Sequence, residues 1–127
     1  MGRESRQLPV EIKTGTMMKL KLVVAIIRTH ALESVEERLR DMGVRGLTVT
    51  RAKGFGAHAN LFSRDWLVDQ VKIEIYLEQD RAESIAQAIL DTAHSGSLGD
   101  GIVAILPVEK VYSVRTRCEE APNRIRG

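Results

Sequence analysis

Two stretches of the chain place apolar residues at every second position, a period that is typical of β-strands with one buried face. In the second stretch, polar residues such as Lys72 and Glu74 fill the positions between, which makes it the clearest strand of the sequence. The apolar positions are Leu20, Leu22, Val24 and Ile26 in the first stretch, and Val71, Ile73, Ile75 and Leu77 in the second. Three shorter runs, residues 47–50, 102–106 and 111–114, are rich in β-branched and aliphatic residues and are also predicted as strands.

Two other stretches repeat apolar residues at spacings of three and four, so each predicts an amphipathic helix. The first helix is expected to end at Gly43 and to be capped by Thr29. The second is expected to begin at a capping pair formed by Asp80 and Glu83. The apolar faces are Leu32, Val35, Leu39 and Met42 in the first helix, and Ala82, Ile85, Ala86, Ile89 and Ala93 in the second.

The predicted order is strand, helix, strand, strand, helix, strand, which is the ferredoxin-like βαββαβ arrangement of the α+β class. An antiparallel sheet then carries both helices on one face, and its other face stays uncovered in a monomer. Because an apolar open face usually finds a partner, the sequence predicts an oligomer. The domain is expected to span residues 17–116, after a polar extension (residues 1–16) and before a polar, mobile tail (residues 117–127).

Composition argues against several classes of function. The 127 residues suffice for one domain, and a formal net charge of +2 is too small to indicate a nucleic-acid partner. The single cysteine is typical of a cytoplasmic protein, and no apolar run is long enough for membrane insertion. The three histidines lack metal-ligand spacing and no nucleophile–base pair stands out, so we predict no metal site, no catalytic residues and no enzyme.

Candidate chemistry lies in two glycine-rich segments, each beside a predicted strand. Residues 96–101 contain three glycines and Asp100, and residues 53–56 contain two more glycines. Glycine lets backbone N–H groups approach an anion closely, so both segments are candidates for contact with the phosphates of one nucleotide. Taken alone, Gly99-Asp100-Gly101 indicates only a tight turn, because glycine beside aspartate usually marks one.

Four segments in this order resemble the PII signalling family, the nitrogen-regulatory trimers. They are residues 46–56 (GLTVTRAKGFG), residues 71–75 (VKIEI), residues 92–101 (TAHSGSLGDG) and residues 114–116 (VRT). In that family the first two segments flank a long T-loop, here residues 54–70, and the third forms the B-loop, here residues 95–101. The resemblance extends over nearly the whole domain, from about Leu20 to Thr116.

The resemblance implies a homotrimer with adenine nucleotides bound in the clefts between subunits. It places residues 46–48 near the base, the glycines at the root of the T-loop close to the nucleotide, and the backbone N–H groups of the B-loop at the phosphates. Arg115 matches a phosphate-side arginine, whose guanidinium can meet several phosphate oxygens. The residues implied to bind nucleotide are Gly46, Leu47, Thr48, Gly54, Gly56, Tyr76, Gly99, Asp100, Gly101 and Arg115.

Several positions depart from the regulatory members of the family. The T-loop is shorter and lacks the tyrosine that those members modify, and Ala57 stands near the place of a glutamine that serves magnesium and 2-oxoglutarate. Neutral Gln70, Ile102 and Ser113 replace three cations near the phosphates. These changes resemble the PII-like branch found with carboxysomes and bicarbonate transporters. That branch implies ADP or AMP as favoured ligands, ATP as a further one, and bicarbonate as a candidate second effector.

The T-loop is the predicted contact for a regulated partner, which would be a transporter, an enzyme or a carboxysome component. Its predicted partner-binding residues are His58, Phe62, Ser63 and Trp66, although Phe62 and Trp66 could equally well anchor a core. Three alternatives stay open. They are a nitrogen-regulatory PII protein acting on nitrogen assimilation, a small nucleotide hydrolase, and a purely structural trimer of the same fold.

Overall fold

The computed structural model describes residues 19–54 and 68–120. The elements, in chain order, are strand β1 (Leu20–Arg28), one turn of 3-10 helix (Thr29–Ala31), helix α1 (Leu32–Asp41), strand β2 (Thr48–Gly54), strand β3 (Val68–Glu78), helix α2 (Gln79–Ala93) and strand β4 (Gly101–Val108). The strands form one antiparallel sheet in the order β2-β3-β1-β4. The predicted ferredoxin-like α+β fold is therefore confirmed.

Both helices contribute to one hydrophobic core with the same side of the sheet, which we call the inner face. Helix α1 contributes Val35 and Leu39, and helix α2 contributes Ile85 and Ile89, all at most 1% exposed. These residues were predicted from their helical spacing, so the apolar faces of both helices are confirmed. The sheet residues that share their core are Val23, Ala25, Ile27, Val71, Ile73, Ile75 and Leu77.

Strand β1 is apolar on both sides. Three of the four apolar positions predicted from the alternation lie on the side that faces away from the helices, which we call the open face. Leu22, Val24 and Ile26 are half-buried on the open face, whereas the residues between them are buried. Strand β4 continues this surface, because its register pairs Leu22 with Leu106 and Ile26 with Ile102. We call this surface the apolar stripe; it consists of Leu22, Val24, Ile26, Ile102, Ala104 and Leu106.

The other half of the open face is polar. Thr48 pairs with Glu74 and Thr50 pairs with Lys72, so threonine and charged side chains occupy the rungs of β2 and β3. The stripe thus lies at one side of the sheet, on its central strand β1 and its edge strand β4. Pro107 lies in β4, which agrees with the edge position expected for proline in a sheet.

Both predicted helix caps are wrong. Neither α1 nor α2 has a side-chain hydrogen bond at its N-cap. Thr29 belongs to the 3-10 turn that precedes α1, and its hydroxyl oxygen is buried without a hydrogen bond. Helix α2 begins at Gln79, whose backbone N–H donates to the carbonyl of Lys19 at 2.8 Å, so the start of β1 takes the place of a side-chain cap.

The strands that flank the predicted T-loop are longer than expected. Gly54 ends β2 and pairs with Val68, so residues 54 and 68–70 belong to strands rather than to the loop. An ion pair between Arg51 and Asp69, 3.1 Å apart, joins the two strands in this extension. The sequence shows no apolar alternation there, and the paired side chains Arg51 and Asp69 are exposed.

The strand predicted at residues 111–114 is wrong. Tyr112 forms a single bridge with Glu119, and Ser113 donates its backbone N–H to the carbonyl of Cys118 at 2.9 Å. Residues 111–120 therefore form one hydrogen-bonded loop, which we call the C-terminal loop, and residues 117–120 belong to it rather than to a mobile tail. Val114 is 94% exposed and Tyr112 is 59% exposed, and in the part of the chain that the structure describes this run forms no strand of the sheet.

Candidate functional site

Asp100 organises the B-loop between α2 and β4. Its carboxylate accepts the backbone N–H groups of Ser95 at 2.7 Å and of Gly96 at 2.9 Å. The Ser95 hydroxyl donates to the same carboxylate, and the Ser97 hydroxyl lies 3.5 Å from it. The side chain of Asp100 is therefore engaged inside its own loop, and any role in binding an anion must fall to the backbone.

Hydrogen bonds hold the pKa of Asp100 at about 2, below its ordinary value of 3.8. The Ser95 hydroxyl is the largest cause, followed by the Ser95 backbone N–H; partial desolvation opposes them, and the Gly96 N–H and His94 lower the pKa further. The carboxylate is thus ionised at neutral pH. A phosphate entering this loop would approach this negative charge, which is partly offset by the donors of residues 95 and 96.

Gly101 is required by the strand pairing itself. Its φ is 116°, and a Cβ at this position would lie 1.8 Å from the backbone oxygen of Ile26. Because this contact lies within the chain, a glycine at 101 does not by itself indicate a phosphate. Gly99, which also has a positive φ, of 91°, is the B-loop glycine that remains a candidate for contact with a phosphate.

Arg28 was missed by the sequence analysis. Its Nη2 donates to the carbonyl of Leu98, and its Nε lies 3.9 Å from a carboxylate oxygen of Asp100. The two side chains are 30% and 22% exposed. Arg28 is far from the B-loop in sequence, and only the pairing of β1 with β4 brings them together. The predicted fold could have indicated this contact, because in a ferredoxin-like sheet the end of the first strand lies beside the start of the last.

Two of the loops implied to touch one nucleotide converge at this end of the sheet. Arg28 pairs with Gln70 of β3, which pairs in turn with Ala52 of β2. On the other side of β1, Ile27 pairs with Gly101. The root of the T-loop and the B-loop therefore flank the end of β1 within one chain.

The residues implied near the base lie elsewhere on the sheet. Thr48 is exposed at the start of β2 and pairs with Glu74, after half-buried Gly46 and Leu47. Tyr76 pairs with Leu22, six residues before the end of β1, or roughly 20 Å along the strand. One chain thus does not bring Tyr76 to the B-loop.

Arg115 belongs to the C-terminal loop and is exposed. This loop follows the end of β4 at Val108, whereas the B-loop precedes its start at Gly101. The two loops join opposite ends of a strand roughly 23 Å long. Arg115 and the B-loop therefore lie beyond opposite ends of β4 in one chain.

The remaining predicted site residues, Gly56, His58, Phe62, Ser63 and Trp66, lie outside the described residues. Within the described ranges, no group of three or more histidine, cysteine, aspartate and glutamate residues could hold a metal ion. No helix in those ranges is long and apolar enough to cross a bilayer.

Comparison with known proteins gives a consistent family assignment. The family model described as nitrogen regulatory protein P-II matches residues 20–118. A nitrogen regulatory protein P-II of Azospirillum brasilense is 40% identical over 104 residues, which are 76% of this chain and 93% of that protein. A P-II homolog of Arabidopsis thaliana is 38% identical over 128 residues, covering 91% of this chain and 65% of the relative.

A solved structure agrees with the sequence relatives. The crystal structure of Arabidopsis thaliana PII bound to citrate superimposes with a TM-score of 0.71 at 33% identity, covering 88% of this chain and 96% of that one. The family match spans every described strand and helix and both loops at the candidate site. The chain belongs to the P-II family of nitrogen regulatory proteins, which are signalling proteins.

Proposed function

We propose that this protein is a homotrimeric signalling protein of the cytoplasm that binds adenine nucleotides in the clefts between its subunits and reports them to a partner protein through residues 54–70. ADP and AMP bind at least as well as ATP, and bicarbonate is a second effector. The observation that carries the proposal is the convergence of the T-loop root and the B-loop at the end of β1, in a chain of the P-II family.

The apolar stripe supports the trimer. Ile102 is 62% exposed and Leu106 is 41% exposed in one chain, on the face opposite the two described helices. Contiguous apolar surface of this kind usually marks a contact with another protein. Three copies that bury their stripes against one another would remove this surface from water.

The positions of the predicted site residues support a cleft between subunits. The B-loop and the C-terminal loop, which carries Arg115, adjoin opposite ends of β4. A second subunit can bring its own C-terminal loop to the B-loop of the first, so that both reach one nucleotide. The proposed site is complete only in the oligomer.

The neutral residues near the proposed phosphates support the nucleotide preference. Gln70 and Ile102 flank the end of β1, where a cation would contact a phosphate. A charge-assisted hydrogen bond contributes about 1.5–3 kcal/mol, so a ligand with more phosphates loses more when the cations are neutral. The test is calorimetry with AMP, ADP, ATP and bicarbonate; ATP binding tenfold tighter than ADP would contradict the preference.

A nitrogen-regulatory role is the second candidate, because the relatives named above are nitrogen regulatory P-II proteins. The two candidates differ in their response to 2-oxoglutarate. We expect no tight binding of 2-oxoglutarate with magnesium and ATP, because Ala57 and His58 offer no amide like that of the glutamine they replace. A micromolar dissociation constant in calorimetry would favour the nitrogen-regulatory role.

A further inference from the structure

Arg28 lies between the two loops of the proposed nucleotide site. The register of β1 pairs Arg28 with Gln70, at the root of the T-loop, and pairs the preceding residue with Gly101, at the end of the B-loop. Its guanidinium already contacts the B-loop at the carbonyl of Leu98. A ligand held by both loops must therefore pass close to this side chain.

The guanidinium of Arg28 has N–H donors that can still bind a ligand. Nη2 donates to Leu98, whereas Nε is buried and has no hydrogen-bond partner among the residues that the structure describes. The distance of 3.9 Å from Nε to Asp100 is too long for a hydrogen bond. An arginine carries five N–H donors in a planar fork, and a buried donor without a partner costs free energy until a ligand or solvent molecule satisfies it.

The charge of Arg28 is only partly countered. Asp100 is its nearest acidic partner among the residues that the structure describes, and that carboxylate is shared with the donors of Ser95 and Gly96. The neighbouring positions on the two adjacent strands, Gln70 and Ile102, are neutral. The positions beside the end of β1 thus add no second cation, and Lys72, a further cation on this face, pairs with Ile26 two residues further from the loops.

We propose that Arg28 supplies, from the same chain as the B-loop, positive charge for the phosphates of the bound nucleotide and so affects how strongly their number changes affinity. This inference rests on the proposed nucleotide site. A guanidinium matches phosphate oxygens with two parallel hydrogen bonds, and its attraction grows with the charge of the ligand. Arg28 thus favours a nucleoside diphosphate over a monophosphate, and a single guanidinium gives a third phosphate little further support.

The test compares Arg28→Gln with Arg28→Lys in the full chain, by calorimetry with AMP, ADP and ATP. Arg38→Gln is the matched control, because it removes the same charge from the exposed surface of α1. We expect Arg28→Gln to weaken ADP about tenfold and ATP at least as much, with little change for AMP, as a lost charge-assisted contact predicts. Arg28→Lys, which keeps the charge without the fork, should fall between, and the control should bind like the unchanged protein.

The outcomes separate the inference from the proposal beneath it. Equal weakening of all three nucleotides would overturn the inference, because it would mean that Arg28 only positions the B-loop. An unchanged ADP affinity in Arg28→Lys and Arg28→Gln would overturn it as well, while leaving the nucleotide site in place. If the unchanged protein binds none of the three, both the proposed site and the role of Arg28 are wrong.

Discussion

The two faces of the sheet contrast in what completes them. The inner face is covered by the chain's own helices, and Ile73 and Ile75 of its strand β3 are at most 1% exposed. The open face carries the apolar stripe, and at its end lie Arg28 and Asp100. The inner face is completed by this chain alone, whereas in the proposed trimer the stripe and the nucleotide site of the open face are completed by another molecule. The inner face then supplies stability, and the open face supplies binding.

The contrast predicts that equivalent changes on the two faces have different consequences. Ile73→Ala removes a fully buried side chain beneath both helices. We expect it to lower the free energy of unfolding by about 2–5 kcal/mol, because the helices cannot close the cavity completely. Denaturant unfolding measures this loss, and light scattering should still give the oligomer.

On the open face, Leu106→Lys should have the opposite profile. Leu106 is already 41% exposed in one chain, so the charge costs the isolated subunit little. In the oligomer the same lysine would be buried without a partner, which is far more costly. We expect light scattering to show dissociation to monomers. An intact oligomer in Leu106→Lys would mean that the stripe is not the contact.

Gly101 lies where the B-loop joins strand β4, so a change there affects both the sheet and the candidate site. Gly101→Ala puts a methyl group 1.8 Å from the Ile26 backbone oxygen and imposes a φ of 116° on a residue with a side chain. The φ alone costs about 1–3 kcal/mol. We expect lower stability, disturbed pairing of β1 with β4, and weaker nucleotide binding together. Weaker nucleotide binding with unchanged stability would show that the methyl group blocks a ligand rather than a strand.

The contrast also explains what the sequence could and could not predict. The apolar positions of the helices, such as Val35 and Leu39, and those of β3 are buried against one another within this chain. The period of the apolar residues was therefore enough to predict them. Strand β1 is apolar on both sides, and its alternation selected Leu22, Val24 and Ile26 on the open face. A period of two cannot tell which side the helices cover when both sides are apolar.

The candidate site was predictable in its loops but not in its contacts. Glycine and aspartate located the B-loop, yet only the structure shows that the Asp100 carboxylate turns inward to Ser95 and that Gly101 is fixed by β1. Arg28 had no local signal, because the residues it contacts lie at the other end of the chain. Contacts set by strand pairing follow from topology and register rather than from neighbouring letters.

Restoring charge at the end of the open face should change the preference for phosphates. Ile102→Lys places an ammonium on the rung next to Arg28, and Ser113→Arg adds a guanidinium to the C-terminal loop. We expect the double variant to bind ATP about tenfold more tightly relative to ADP, about 1.4 kcal/mol. Because Ile102 belongs to the stripe, its lysine should also weaken the oligomer, so calorimetry measures the ratio at a protein concentration at which light scattering shows the oligomer intact. An unchanged ratio would mean that neither position faces a phosphate.

The smallest effect concerns the B-loop itself, which is held by its own chain although it lies on the open side. The Ser95 hydroxyl is the main reason that the pKa of Asp100 lies near 2, so Ser95→Ala should raise that pKa toward 3.8. Ser97→Ala is the comparison, because the Ser97 hydroxyl lies 3.5 Å from the carboxylate but 2.6 Å from the Ser95 hydroxyl, so its loss should move the Asp100 pKa less. Carbon-detected NMR titration of the carboxyl group measures the Asp100 pKa in both variants.

The low pKa of Asp100 also makes stability depend on pH. Because the folded pKa is depressed, the contribution of this carboxylate to stability is present above pH 3.8 and is lost as the pH falls toward 2. An Asp100 pKa that stays near 2 in Ser95→Ala would show that the backbone N–H groups alone hold the carboxylate ionised.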